Sequence, residues 1–159
     1  MKTPTTSDGL LARLISTWFG CGYSPVAPGT AGSLGALAVA IALHNLAPWH
    51  FALLGAALFL PGVWAATRTA RALQKKDPGM VVVDEVIGQW ITLAGAHHLT
   101  WANYFLAFVL FRLFDIWKPP PVRRLEALPE GLGIVADDVM AGIYAAAVLF
   151  VVERAIGLP

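Results

Sequence analysis

Five carboxylates stand out by their neighbours. Asp84 and Glu85 follow Val81-Val82-Val83 and precede Val86-Ile87. Asp115 lies within Phe111-Arg112-Leu113-Phe114-Asp115-Ile116-Trp117, and Asp137 and Asp138 follow Gly133-Ile134-Val135-Ala136. They are five of only ten acidic residues, so acid is concentrated in apolar sequence instead of being spread as solubilising charge. An ionised carboxylate in such surroundings is costly unless it is paired or bound to a metal. Three such clusters suggest convergence on a common cation. Hard oxygen ligands without a His or Cys cluster favour Mg²⁺ over Zn²⁺ or copper. Each cluster also has a local reading: Asp137-Asp138 as a helix cap, Asp84-Glu85 as partners of a helix dipole, and Asp115 as the ion-pair partner of Arg112.

Cations and glycines accompany the acids. Arg112, Asp115 and Lys118 share one helical face at i, i+3 and i+6, and Pro119-Pro120-Pro121 ends that helix. Arg123 and Arg124 follow. A guanidinium and an ammonium beside carboxylates suit a phosphate held by a metal. The stretch Ala27-Pro28-Gly29-Thr30-Ala31-Gly32-Ser33 could add backbone N–H groups and the hydroxyls of Thr30 and Ser33 at a helix N-terminus; a tight interhelical turn is the plainer reading. Gly88 is four residues after Asp84, and Gly142 four after Asp138. Small residues on the acids' own faces let helices approach closely. Other catalytic patterns are missing. Position 27, six after Cys21, is Ala instead of Arg, no Lys follows the glycines, and no Ser-His-Asp set is apparent.

The elements that carry these residues read as membrane helices. Of 159 residues, 57% are apolar and 13% charged, with a mean hydropathy of +0.66; soluble domains are about 25% charged. The length suits one domain, 1–159. A net charge of +1 and the lack of a basic, aromatic-interleaved run give no sign of nucleic-acid binding. The N-terminal apolar stretch carries Arg13 and does not read as a cleavable signal. Ser7-Asp8 predicts the cap of a helix over 9–18, with Leu10, Leu11, Leu14, Ile15 and Trp18 on one face. That helix either lies on the bilayer or packs on the protein. Residues 19–33 read as a structured loop, and Ser33 as the cap of the next helix. Apolar helices are predicted over 34–46, 50–67, 83–97, 102–117 and 138–155, with Pro61 kinking the second. The fold class is therefore all-α: a polytopic membrane bundle of about five apolar helices plus a short N-terminal interfacial helix. Lys2 and Arg13, then Arg68, Arg71, Lys75 and Lys76, then Lys118, Arg123 and Arg124 occupy alternate connections. The connections His44–His50 and His97–Asn103 have no Lys or Arg. The positive-inside rule puts the acids at the cytoplasmic side and His44, His50, His97 and His98 opposite them. Capping alone does not explain why all three acidic clusters fall on one side.

Four blocks in order carry a family resemblance: Ser24-Pro25-Val26-Ala27-Pro28-Gly29-Thr30-Ala31-Gly32-Ser33, Val83-Asp84-Glu85-Val86-Ile87-Gly88, Phe111 through Pro119, and Gly133 through Gly142. They make the chain similar to the phosphatidylglycerophosphatase A family; only Ala136 departs, where a larger apolar residue is expected. The resemblance implies a bacterial inner-membrane, multi-pass, Mg²⁺-dependent phosphatase with its site facing the cytoplasm. Its substrate would be phosphatidylglycerophosphate, converted to phosphatidylglycerol and phosphate while the lipid tails stay among the membrane lipids. In that scheme Asp84, Glu85, Asp137 and Asp138 hold one or two Mg²⁺, and Asp115 is a further ligand or the positioning base. Arg112, Lys118, Thr30 and Ser33 receive the phosphate. Direct attack by water and an aspartyl-phosphate route both stay open, as does a homo-oligomer. Two other classes compete: a small ion- or proton-coupled transporter, which needs acids near the bilayer midplane, and an assembly subunit whose acids only pair with Arg and Lys.

Overall fold

The computed structural model describes residues 7–157, with side chains from residue 9. Lys2 and the expected Ser7-Asp8 cap lie outside the described residues and side chains. The described chain is all-α, with seven helices: α1 (Ser7–Ser16), α2 (Pro28–Ala42), α3 (Trp49–Leu73), α4 (Val83–Leu93), α5 (Trp101–Trp117), α6 (Val122–Leu125) and α7 (Glu130–Ile156).

The short α4 is the axis of the bundle. It packs against α2, α3, α5 and α7, and nine of its eleven residues are buried. Val86, Trp90 and Leu93 join Leu37, Phe51 and Leu149 in the largest core cluster. Polar groups tie it in place. Trp90 Nε1 donates to the Ala36 carbonyl of α2 at 3.1 Å. The Val82 N–H, just ahead of α4, donates to the Ser16 carbonyl at 2.7 Å. The start of α4 is thereby fixed to the end of α1.

The expectation of five membrane spans is corrected here. Two helices, α3 with 25 residues and α7 with 27, are long and apolar enough to cross a membrane. At 1.5 Å per residue they reach about 38 and 40 Å, against a hydrocarbon core of about 30 Å. The helices α2, α4 and α5 have 15, 11 and 17 residues, and fall short at about 17–26 Å. Burial of α4 on nearly all sides also leaves it no surface to offer lipid. Its apolar sequence reports a protein core. By contrast, Phe105, Val109, Leu113 and Ile116 form an exposed apolar stripe along α5. Leu53 and Leu60 of α3 and Phe150 and Val151 of α7 are also exposed. Such extended apolar surface is what a lipid-facing bundle carries.

The observed boundaries differ most from the expected ones where Gly and Pro signal loop. The helix expected from 34 begins at Pro28, because proline suits the first helical position, where its missing N–H costs nothing. Ser33 is thus inside α2, not its cap. The helix expected from 138 begins at Glu130. The helix expected over 50–67 runs to Leu73, so Arg68 and Arg71 lie on α3 instead of in a connection. The N-terminal helix packs on the protein along one side. Ala12 and Ser16 are buried, and Ser16 Oγ lies 2.9 Å from Thr69 Oγ1 of α3, while Leu10, Leu11 and Leu14 stay exposed. Trp18 leaves that face, with φ 46°, and stacks edge-on to Trp90.

Candidate active site

Two helices bring the acids together. Asp84 and Glu85 occupy the first turn of α4, where negative charge meets the positive end of the helix dipole. Asp137 and Asp138 lie about two turns inside α7, so the reading of them as a cap is overturned; the residue before α7 is Pro129, which makes no side-chain cap. Glycines set the approach of α4 to α7. A Cβ on Gly88 would lie 2.7 Å from the Asp138 carbonyl oxygen, and one on Gly142 would lie 2.5 Å from the Gly88 carbonyl oxygen. Real Cβ atoms do not come so close, so glycine is what permits this contact. The spacing of Gly88 and Gly142 from the acids anticipated it.

Asp84, Glu85 and Asp138 form one cluster. A carboxylate oxygen from each lies within 4.8 Å of the others. Asp84 is 8% exposed and Asp138 3%. Asp84 Oδ1, Glu85 Oε2 and Asp138 Oδ2 are buried and have no hydrogen-bond partner. Three carboxylates gathered away from water repel one another and lack solvation, so they need a cation or protons. Orphaned oxygens from three carboxylates could together hold a metal ion.

Asp137 does not join this cluster. Its Oδ2 accepts from Lys118 Nζ at 2.8 Å, and its Oδ1 accepts the Asp138 N–H at 3.1 Å. Lys118 also donates to Glu126 at 3.2 Å. Burial lowers the Lys118 pKa, but the hydrogen bond and charge of Asp137, with those of Glu126, outweigh it and hold the ammonium above its ordinary value. Lys118 therefore remains a cation at neutral pH. It ends α5 in a left-handed conformation, φ 49°, which a β-carbon disfavours. Arg112 Nη1 lies 3.0 Å from Asp115 and 3.8 Å from Glu85. Asp115 in turn neighbours Asp138.

These groups line a cavity of about 520 Å³, within the range of small-molecule sites. Its wall contains Pro28, Gly29, Asp84, Glu85, Arg112, Asp115, Lys118, Asp137 and Asp138, and also Lys76, Asp77, Arg123 and Glu126. Burial raises the Asp77 pKa. Gly29 abuts the cluster, since a Cβ there would fall 2.1 Å from Glu85 Oε1. Thr30 and Ser33 are not among the lining residues. Because α2 already starts at Pro28, Ser33 is buried and its hydroxyl donates to the Gly29 carbonyl at 3.1 Å. Sequence reasoning missed Lys76, Asp77 and Glu126. The only available signal was that Glu126 follows Lys118 across a triple-proline turn, which folds the chain back on itself.

Comparison with known proteins agrees with this arrangement. A family model described as phosphatidylglycerophosphatase A matches residues 14–153. A protein of Bacteroides thetaiotaomicron named "Putative phosphatidylinositol-3-phosphatase" is 43% identical, over 99% of this chain and 100% of its own. Proteins named phosphatidylglycerophosphatase A from Escherichia coli and Haemophilus influenzae are 37% and 41% identical. The first alignment covers 87% of this chain and 81% of the relative; the second covers 89% and 88%. No solved structure matches. With the family match running almost from end to end and the acidic blocks folded into one cavity, the chain belongs to the phosphatidylglycerophosphatase A family.

Proposed function

We propose that this chain is a Mg²⁺-dependent lipid phosphatase that hydrolyses phosphatidylglycerophosphate to phosphatidylglycerol and phosphate. On this reading it is a single domain in the bacterial inner membrane, with the cavity open to the cytoplasm. The observation that carries the proposal is the buried cluster Asp84, Glu85 and Asp138, with an orphaned oxygen on each, beside the cations Arg112 and Lys118. Family membership supports the phosphatase activity, and two relatives' names support the substrate.

Asp84, Glu85 and Asp138 would hold the ion. Bound there, Mg²⁺ supplies Lewis acidity toward a phosphoryl oxygen and lowers the pKa of a coordinated water. The protein's own groups do the rest. Arg112 and Lys118 offset charge on the phosphoryl oxygens. Asp115 orients Arg112 through their 3.0 Å ion pair and is within reach to accept a proton near Asp138. Asp137 and Glu126 fix the Lys118 ammonium. The long α3 and α7 anchor the site at the membrane surface, where a headgroup phosphate would meet it while the tails remain in lipid.

The name of the Bacteroides relative favours a second headgroup, an inositol carrying a 3-phosphate. Both lipids present a phosphomonoester on a polyol that is joined to diacylglycerol through a phosphodiester. The test is phosphate release by purified protein from each lipid, with Mg²⁺ and with excess chelator. Release from phosphatidylglycerophosphate that needs Mg²⁺ and is lost in Glu85→Gln is the expected result. Undiminished turnover in chelator, or in Glu85→Gln, would sink the metal-centred reading; faster turnover of the inositol lipid would move the substrate and keep the chemistry.

A further inference from the structure

The cavity has an apolar neighbour. A second groove of about 200 Å³ is lined by Trp117, Lys118, Pro119, Pro120 and Arg123. Lys118 and Arg123 also line the acidic cavity, so these two residues form the wall between the two spaces. Their situations differ. Lys118 is engaged by Asp137 and Glu126, whereas no carboxylate among the described residues pairs with Arg123. The groove itself is apolar apart from these two cations. Trp117, at its edge, and Ile116 are exposed, and they continue the lipid-facing stripe of α5.

The order along this surface is an acid cluster, then an unpaired guanidinium, then an apolar groove that opens toward the outside of the bundle. A phospholipid with a phosphorylated headgroup has the same order: a terminal phosphomonoester, a phosphodiester, then glycerol and acyl chains. We propose that Arg123 binds the phosphodiester of the substrate, with the glycerol and first acyl carbons lying along Trp117, Pro119 and Pro120. This deepens the lipid-phosphatase reading and rests on it. A guanidinium offers paired N–H donors to two phosphate oxygens, and a second charged contact remote from the reacting phosphorus improves binding of ground state and transition state alike. Arg123 is thereby a specificity residue, which separates lipids with two phosphates from a lone phosphate.

The test separates the two phosphate positions. The KM of phosphatidylglycerophosphate and of phosphatidylinositol-3-phosphate is measured in mixed micelles. Inorganic phosphate, the reaction product, which on this proposal takes the monoester position, is measured as a competitive inhibitor. Arg123→Ala is expected to raise the KM of whichever lipid is turned over about tenfold, while the inhibition constant of inorganic phosphate moves less than twofold. Arg123→Lys should fall between Arg123→Ala and wild type. Lys76→Ala, which removes a cation from the cavity wall away from the groove, should not reproduce the split. Three results overturn the proposal: an unchanged KM, a parallel rise in the phosphate inhibition constant, or the same split in Lys76→Ala, which would reveal a general charge effect. A wild-type protein that hydrolyses neither lipid would instead remove the phosphatase reading, and this inference with it.

Discussion

Asp137 and Asp138 are adjacent in sequence, yet their side chains serve different neighbours. Asp138 turns to Asp84 and Glu85, and Asp137 to Lys118. Successive helical residues are about 100° apart, so one faces α4 while the other faces the end of α5. The roles separate experimentally. Asp84→Asn should abolish both phosphate release and binding of Mn²⁺, followed by electron paramagnetic resonance as a stand-in for Mg²⁺. Asp137→Asn should keep Mn²⁺ affinity within about threefold and lower turnover by about 10- to 100-fold, because Lys118 loses the carboxylate that fixes it. That range matches the loss of one charge-stabilising contact in a transition state. Equal loss of Mn²⁺ in both variants would return Asp137 to the ligand set. The sequence could gather five acids but could not divide them. Which carboxylate meets which cation depends on helix rotation, and α7 starts about two turns before the point its apolar pattern indicates.

Helix pairing was legible where spacing alone decides it. Residues four apart share a helical face, so Gly88 with Asp84 and Gly142 with Asp138 announced a close contact beside the acids, and the structure has it. The starts of α2 and α7 were not legible. Pro28 and the glycines of Ala27–Ser33 and Glu130–Gly133 look like loop until packing partners are known. A direct check of the α4–α7 contact is Gly142→Ala. Its Cβ would fall 2.5 Å from backbone, which cannot yield as a flexible side chain would. Overpacking of this kind costs about 1–3 kcal/mol, or roughly 3–10 °C in the thermal midpoint of a chain this size. In detergent, Gly142→Ala should melt lower by that amount and lose turnover as Asp138 is pushed from Asp84. Gly79→Ala, where a Cβ meets nothing within 4 Å, should melt as wild type does. A Gly142→Ala protein as stable as Gly79→Ala and as active as wild type would mean that the two helices are not in contact as described.

Hydropathy counts apolar residues without saying what covers them, which is why five spans were expected and two helices are long enough. The apolar residues of α4 are covered by protein: nine of its eleven residues are buried. Charge is distributed unevenly between the two ends of the bundle. The site end carries Arg68, Arg71, Lys75, Lys76, Lys118, Arg123 and Arg124, and Arg71 Nε reaches Glu130 at 2.8 Å to join the ends of α3 and α7 there. The opposite end has His97, whose N–H donates to the buried Glu153 at 2.7 Å, and Arg154, 3.3 Å from the His97 ring. On the proposed reading α3 and α7 cross the bilayer in opposite directions, and the positive-inside rule then assigns the cation-rich end to the cytoplasm. In a Cys21→Ser background, single cysteines at Lys75 and His98, both exposed, report the orientation. A membrane-impermeant maleimide added to cells with a permeabilised outer membrane should label His98→Cys at once. Lys75→Cys should react only after the inner membrane is broken. Immediate labelling of Lys75→Cys with protection of His98→Cys would invert the molecule and place the acidic cavity on the wrong side to receive a lipid phosphate from the cytoplasm. Labelling of both would show that α3 and α7 do not cross the bilayer at all.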